Sequence, residues 1–136
     1  MSTANPHLIT NFIIYDMITA KYFKEEEFQK CSPSCSLQDM QQSTMDMLDK
    51  ARELAGIPFV LNSAYRSIEH EKKQGRDGKS AHTLGCAVDL RCNSDCNRWR
   101  MIRALIAAGF TRIGVYKPWI HADNSPSHTQ NVMWHG

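Results

Sequence analysis

Three side chains far apart in the chain, His82, Asp89 and His121, have the types and surroundings that could do chemistry together. Asp89 stands in Ala87-Val88-Asp89-Leu90 and His121 in Trp119-Ile120-His121-Ala122-Asp123, both apolar runs broken by a polar group. A charge buried among such neighbours is costly unless it is paired, hydrogen-bonded, neutralised or bound to a metal. Imidazole nitrogen and carboxylate oxygen both suit zinc, and a catalytic zinc takes three protein ligands and keeps a fourth position open. The expectation is that His82, Asp89 and His121 converge on one zinc ion, and the chemistry that follows is metal-assisted hydrolysis. Taken singly, each residue has a plainer explanation: a surface or hydrogen-bonded core histidine, or an aspartate accepting backbone N–H bonds.

Strands and turns must position these groups. On a strand, Trp119, His121 and Asp123 share one face while Ile120 and Ala122 share the other, and small Ala87 beside Asp89 leaves room for an ion. Strands are expected over 58–66, 87–91, 112–116 and 119–123. A helix is expected from Ser36, a good N-cap with Asp39 near its positive end, to Gly56 at the C′ position. Its inward stripe is Leu37, Met40, Thr44, Met47, Leu48, Ala51, Leu54 and Ala55. A second helix runs from Ser94 or Asp95 to Ala108, with Trp99, Ile102, Leu105 and Ile106 inward and Gly109 ending it. Glu69–Lys73 reads as a short charged helix or turn, followed by a loop at Gly75 and Gly78. Upstream lie an apolar cluster at Phe12–Tyr15, a helical turn with Phe23 and Phe28 inward, and a Cys31–Cys35 loop. The last dozen residues read as a loose polar tail. The fold class is α+β, a small antiparallel or mixed sheet with two main helices, in one domain spanning 1–136 with its core at about 23–126.

A chain of 136 residues is long enough for one real core. The net charge of +2 gives no ground for a nucleic-acid partner. Met1–Pro6 has no cationic segment leading into an apolar core, so no secretory signal is expected. The longest apolar stretches, near Leu8–Ile18 and Ile102–Ala108, are too short to span a bilayer. The expectation is a soluble monomer made in the cytosol. The five cysteines are an odd number, which argues against a complete disulfide framework. Cys31, Cys35, Cys92 and Cys96 could form a second, structural zinc site; reduced, partly buried thiols are the commoner outcome in a cytosolic chain.

Ser80-Ala81-His82-Thr83-Leu84-Gly85-Cys86-Ala87-Val88-Asp89 fits the pattern S-x-H-x-x-G-x-A-x-D. It resembles the signature of zinc D-Ala-D-Ala carboxypeptidases and dipeptidases, a family that includes many phage and bacterial peptidoglycan endopeptidases. Upstream, Leu61-Asn62-Ser63-Ala64-Tyr65-Arg66-Ser67 is similar to that family's S-x-Y-R-S turn. Downstream, residues 109–126 are similar to its closing G-I-G-x-Y…F-I-H-x-D segment. The resemblance covers roughly residues 23–126 and implies a hedgehog/D-Ala-D-Ala peptidase-like fold. By position it assigns zinc to His82, Asp89 and His121, and contact with the substrate carbonyl or oxyanion to Arg66. Ser80 helps hold substrate, and Trp119 joins it as a substrate contact. Arginine keeps its charge and aims rigid donors, which suits charge developing in a transition state.

One position departs from the pattern. Many relatives carry a Glu or His two or three residues before the last histidine as general base; here Pro118 and Trp119 stand there. Asp123 is the remaining carboxylate, expected either to be the base or to orient His121 or the water. His70, His128, His135 and His7 are taken as surface residues. The implied substrate is a peptidoglycan stem peptide with D-residues, cut by a carboxypeptidase or endopeptidase. Without an export signal, the chain would reach the wall only after phage-type release through a membrane pore. Three alternatives stay open: a non-catalytic zinc module such as the hedgehog-like relatives, a phage structural piece, and a cytosolic D-Ala-D-Ala dipeptidase.

Overall fold

The computed structural model describes residues 17–136. The apolar cluster expected at Phe12–Tyr15 and the residue His7 lie outside them. In chain order the elements are α1 (Glu25–Gln29), a 3-10 turn (Leu37–Asp39), α2 (Gln42–Ala55), β1 (Leu61–Ser63) and α3 (Ile68–Lys73). A 3-10 turn (Ala81–Leu84), β2 (Ala87–Arg91), α4 (Asp95–Ala108), β3 (Arg112–Val115), β4 (Trp119–Asp123) and β5 (Val132–His135) follow. The five strands form one mixed sheet in the order β1-β2-β4-β3-β5, antiparallel except for β3 with β5. The α+β class with a mixed sheet agrees with expectation.

Strand alternation divides the sheet into two faces. Val88, Leu90, Ile113, Ile120 and Ala122 are buried with residues of α2 and α4 in one apolar cluster. Asp89, His121, Asp123 and Arg112 belong to the opposite face, where a cavity opens. β1 needs a bulge to serve both. Leu61 pairs with Leu90 while Ser63, two residues on, pairs with the adjacent Asp89. The extra residue puts Leu61 with the core partner and Ser63 with the polar one, although residues two apart would otherwise share a face.

Several expectations need correction. The helix expected from Ser36 is two pieces. Ser36 caps only the 3-10 turn, Met40 is extended, and α2 starts at Gln42. The break lets Gln41 N–H donate to Gly85 O at 2.8 Å, docking this segment on the turn that carries His82. Gly85 is left-handed, and a Cβ there would lie 2.3 Å from Asp39 O, so only glycine fits. Gly56 ends α2 in the left-handed conformation, as expected.

In α4 the inward face is Met101, Ala104 and Leu105, while Trp99 is 66% and Ile106 50% exposed. Bulky aromatics cannot occupy a face where two helices approach closely, and the fully buried Ala51 and nearly buried Ala104 are small. The supposed tail contains β5, whose backbone pairs with β3 from Arg112↔Val132 to Val115↔His135. Among the described residues no helix is long and apolar enough to cross a membrane.

Candidate active site

The 3-10 turn Ala81–Leu84 presents His82, which is 4% exposed. Its Nδ1 lies 2.6 Å from Ala64 O, and a carbonyl only accepts, so Nδ1 carries the proton. That leaves Nε2 as the ring nitrogen turned toward Asp89 Oδ1, 3.4 Å away. The same Asp89 oxygen lies 3.0 Å from His121 Nδ1, because Asp89 and His121 are register partners on β2 and β4. Ligand atoms from His82, Asp89 and His121 all lie within 4.8 Å of one another. A lone pair and a carboxylate aimed at one point repel unless a cation or a proton sits between them. The donor set of two imidazoles and one carboxylate therefore fits a zinc ion.

The neighbouring groups hold these three in place. Asp123 Oδ2 lies 2.6 Å from His121 Nε2, Oδ1 accepts from Ser125 N at 3.0 Å, and Arg112 Nε reaches the same carboxylate at 3.0 Å. Asp123 is fully buried. Burial pushes its carboxyl up, but hydrogen bonds from His121 and Ser125 and the charges of His121 and Arg112 bring it below the usual aspartate value. Burial likewise opposes ionisation of Asp89, and hydrogen bonds from His121 and His82 outweigh it, holding that carboxyl well below its ordinary range. Burial disfavours the charged form of His121, yet the bonds to Asp123 and Asp89 raise its pKa. The metal-free site thus stabilises positive charge between its carboxylates.

Arg66 is bound to the protein on three sides: Nη2 to Asp89 Oδ2 at 2.9 Å, Nε to Ser63 Oγ at 3.0 Å and Nη1 to Glu71 Oε1 at 3.4 Å. Ser80 Oγ donates to Glu71 Oε1 at 2.7 Å. Trp119 stacks on Tyr116, with ring centroids 4.4 Å apart and planes at 12°. Arg66, Ser80, Trp119, Asp123 and the three candidate ligands all line one cavity of about 370 Å³.

Cys31, Cys35, Cys92 and Cys96 form no such centre. Among the described residues the one group of three or more potential ligands is His82, Asp89 and His121. Cys31 and Cys92 are buried as free thiols in the apolar core and Cys96 is exposed.

Glu71 was not among the residues expected at the site. It sits in the stretch read only as a short charged helix or turn, yet it is fully buried and also accepts from Arg76. The signal, visible afterwards, is two nearby arginines, Arg66 and Arg76, of which only Arg66 has another buried acid, Asp89, to meet. His128, expected to be an unpartnered surface residue, bonds Ser125 Oγ at 2.7 Å through Nδ1 and Lys79 O at 3.0 Å through Nε2. Trp134 was missed because its strand was; the alternation Val132-Met133-Trp134-His135 was the available clue.

A model of the family described as Peptidase M15 matches residues 21–123, which include all three candidate ligands and stop short of β5. No curated protein matches the chain at a significant level.

Proposed function

The chain belongs to the Peptidase M15 family, and from that membership we propose that it is a zinc-dependent hydrolase of a peptide bond in peptidoglycan stem peptides. The observation that carries the proposal is the meeting of His82 Nε2, His121 Nδ1 and Asp89 Oδ1 at the floor of an open cavity. Zinc held by these atoms would supply Lewis acidity, polarising a carbonyl oxygen and acidifying a water.

The chain's own residues do the rest. The Ala64 carbonyl fixes the His82 tautomer. Of the two roles open to Asp123, its contacts support the orienting one. Both oxygens are engaged by His121, Ser125 and Arg112, and the side chain is closed to solvent. A carboxylate on the far nitrogen of a ligand histidine fixes its ring and raises its basicity. A guanidinium has five N–H groups, and three of those on Arg66 are spent on Ser63, Glu71 and Asp89. The remaining two are available to a substrate carbonyl as negative charge develops on it. Ser80, whose proton goes to Glu71, keeps oxygen lone pairs for a substrate N–H. Trp119 offers an apolar surface to a substrate side chain.

The test is mass spectrometry of muropeptides after digestion of purified sacculi, with and without a chelator. New, chelator-sensitive peptide cleavage products are expected, and their masses identify the bond. Full zinc occupancy with no cleavage of sacculi or free dipeptide overturns the proposal in favour of a non-catalytic zinc module.

A further inference from the structure

Five strands place one residue each in a line across the cavity face. Ser63 pairs with Asp89, Asp89 with His121, His121 with Gly114, and Gly114 with Trp134. Gly114 has a use in this line. A Cβ there would lie 2.7 Å from Cε2 and Nε1 of Trp134, so the bare backbone lets the indole lie across β3 toward His121. The two rings approach to 5.3 Å between centroids. Trp134 Nε1 then donates to Tyr116 Oη at 2.8 Å.

An indole N–H can only donate, so the phenol oxygen is the acceptor in that bond and the Tyr116 proton is left over. Among the described residues no hydrogen bond consumes it. The Tyr116 ring is stacked on Trp119, and the Gly136 backbone packs so closely that a Cβ there would meet Cε1 at 2.2 Å. Tyr116 and Trp134 line the same cavity as His82, Asp89 and His121. Nothing titratable stands at 118 or 119, and Asp123 is fully engaged, so Tyr116 gives the cavity a fixed hydroxyl donor beside the two N–H groups that Arg66 has left.

We propose that Tyr116 is a further catalytic residue, donating a hydrogen bond to the scissile carbonyl oxygen, and that Trp134 is the positioning residue that aims it. The bond strengthens as the oxygen gains negative charge; no proton is transferred and no covalent bond to Tyr116 forms. The inference rests on the hydrolase proposal. It adds β5, which lies beyond the family-matched span of 21–123, to the active site.

The test uses the zinc-loaded full chain, with muropeptide cleavage followed quantitatively. Losing one donor to a developing oxyanion lowers kcat by roughly 10²–10³-fold, so Tyr116→Phe is expected in that range with zinc content and KM little changed. Trp134→Phe keeps an aromatic ring but removes the N–H, and about a tenfold loss is expected for a donor left in place but unaimed. The double variant should be no slower than Tyr116→Phe, because residues acting through one contact are non-additive. As a second readout, affinity for a phosphinate dipeptide isostere should fall with kcat in all three variants. Equal kcat for Tyr116→Phe and wild type overturns the inference and leaves the hydrolase proposal standing. Multiplying losses in the double variant overturn the positioning role of Trp134. A wild-type protein that neither cleaves muropeptides nor binds the phosphinate brings down both.

Discussion

Replacing Glu71 by Gln tests whether the cavity wall is organised by one buried carboxylate. Glu71 is fully buried, takes the Ser80 hydroxyl at 2.7 Å and faces Arg66 at 3.4 Å and Arg76. Removing one partner of a buried ion pair typically costs about 3–5 kcal/mol, because the other charge is left uncompensated. Two features push this case to the low end. Arg66 keeps Asp89 and Ser63, and Arg76, whose side chain is 50% exposed, can turn to water. About 3 kcal/mol is therefore expected, which for a domain of this size is roughly a 10 °C fall in Tm. The assay is thermal unfolding by circular dichroism in chelator, so that ion binding does not mask the change.

The pH dependence adds a second constraint. Burial alone would raise the Glu71 carboxyl. Hydrogen bonds from Ser80 and Arg76 and the charges of Arg66 and Arg76 win, and it titrates below the ordinary glutamate value of 4.5. A carboxyl depressed on folding contributes stability that is complete above its unfolded pKa and is lost as pH falls through the folded one. The gap between wild type and variant should therefore be full at neutral pH and close progressively below 4.5. A variant melting within about 2 °C of wild type at neutral pH would refute the reasoning, since that is well under the expected shift. So would a gap that widens on acidification.

Three further outcomes are expected. Asp123→Ala should weaken zinc affinity about 10–100-fold, the usual cost of losing a histidine-orienting carboxylate, in competition with a chromophoric chelator; Asp123→Asn, whose amide oxygen still accepts from His121 Nε2, should lose much less. Gly85→Ala combines a φ of +69° with a Cβ 2.3 Å from the Asp39 carbonyl, so urea unfolding should show a loss of at least about 1–3 kcal/mol, and zinc affinity should fall because Gly85 ends the turn that holds His82. Leu105→Ala, in the fully buried part of α4, should cost about 2–5 kcal/mol in urea unfolding and leave zinc stoichiometry unchanged at temperatures where the variant is folded.

The central part of the sheet was legible because β2 and β4 are buried strands whose polar interruptions stand out. Asp89 and His121 have few ordinary reasons to sit between Val88 and Leu90 or Ile120 and Ala122. What escaped notice depends on partners remote in sequence. Trp99 and Ile106 fit a helical stripe as well as Met101 and Leu105 do, and only the approach of α2 selects between them. The extended Met40 answers to Gly85, and β5 exists because β3 offers it a parallel edge. Glu71 looks like any exposed acid until two arginines and Ser80 close around it. Local pattern records which residues are apolar; it does not record which face finds a neighbour.

The pairing of Asp89 with His121 makes ion uptake a check on assembly. A slip of one residue between β2 and β4 would turn Val88 or Leu90 outward and carry a carboxylate or an imidazole into the oily side. Such a misfolded sheet could not gather both groups at one point. Chelation can therefore reward only the correctly aligned chain, and a population trapped in the wrong alignment should be detectable as protein that is compact yet takes up no zinc.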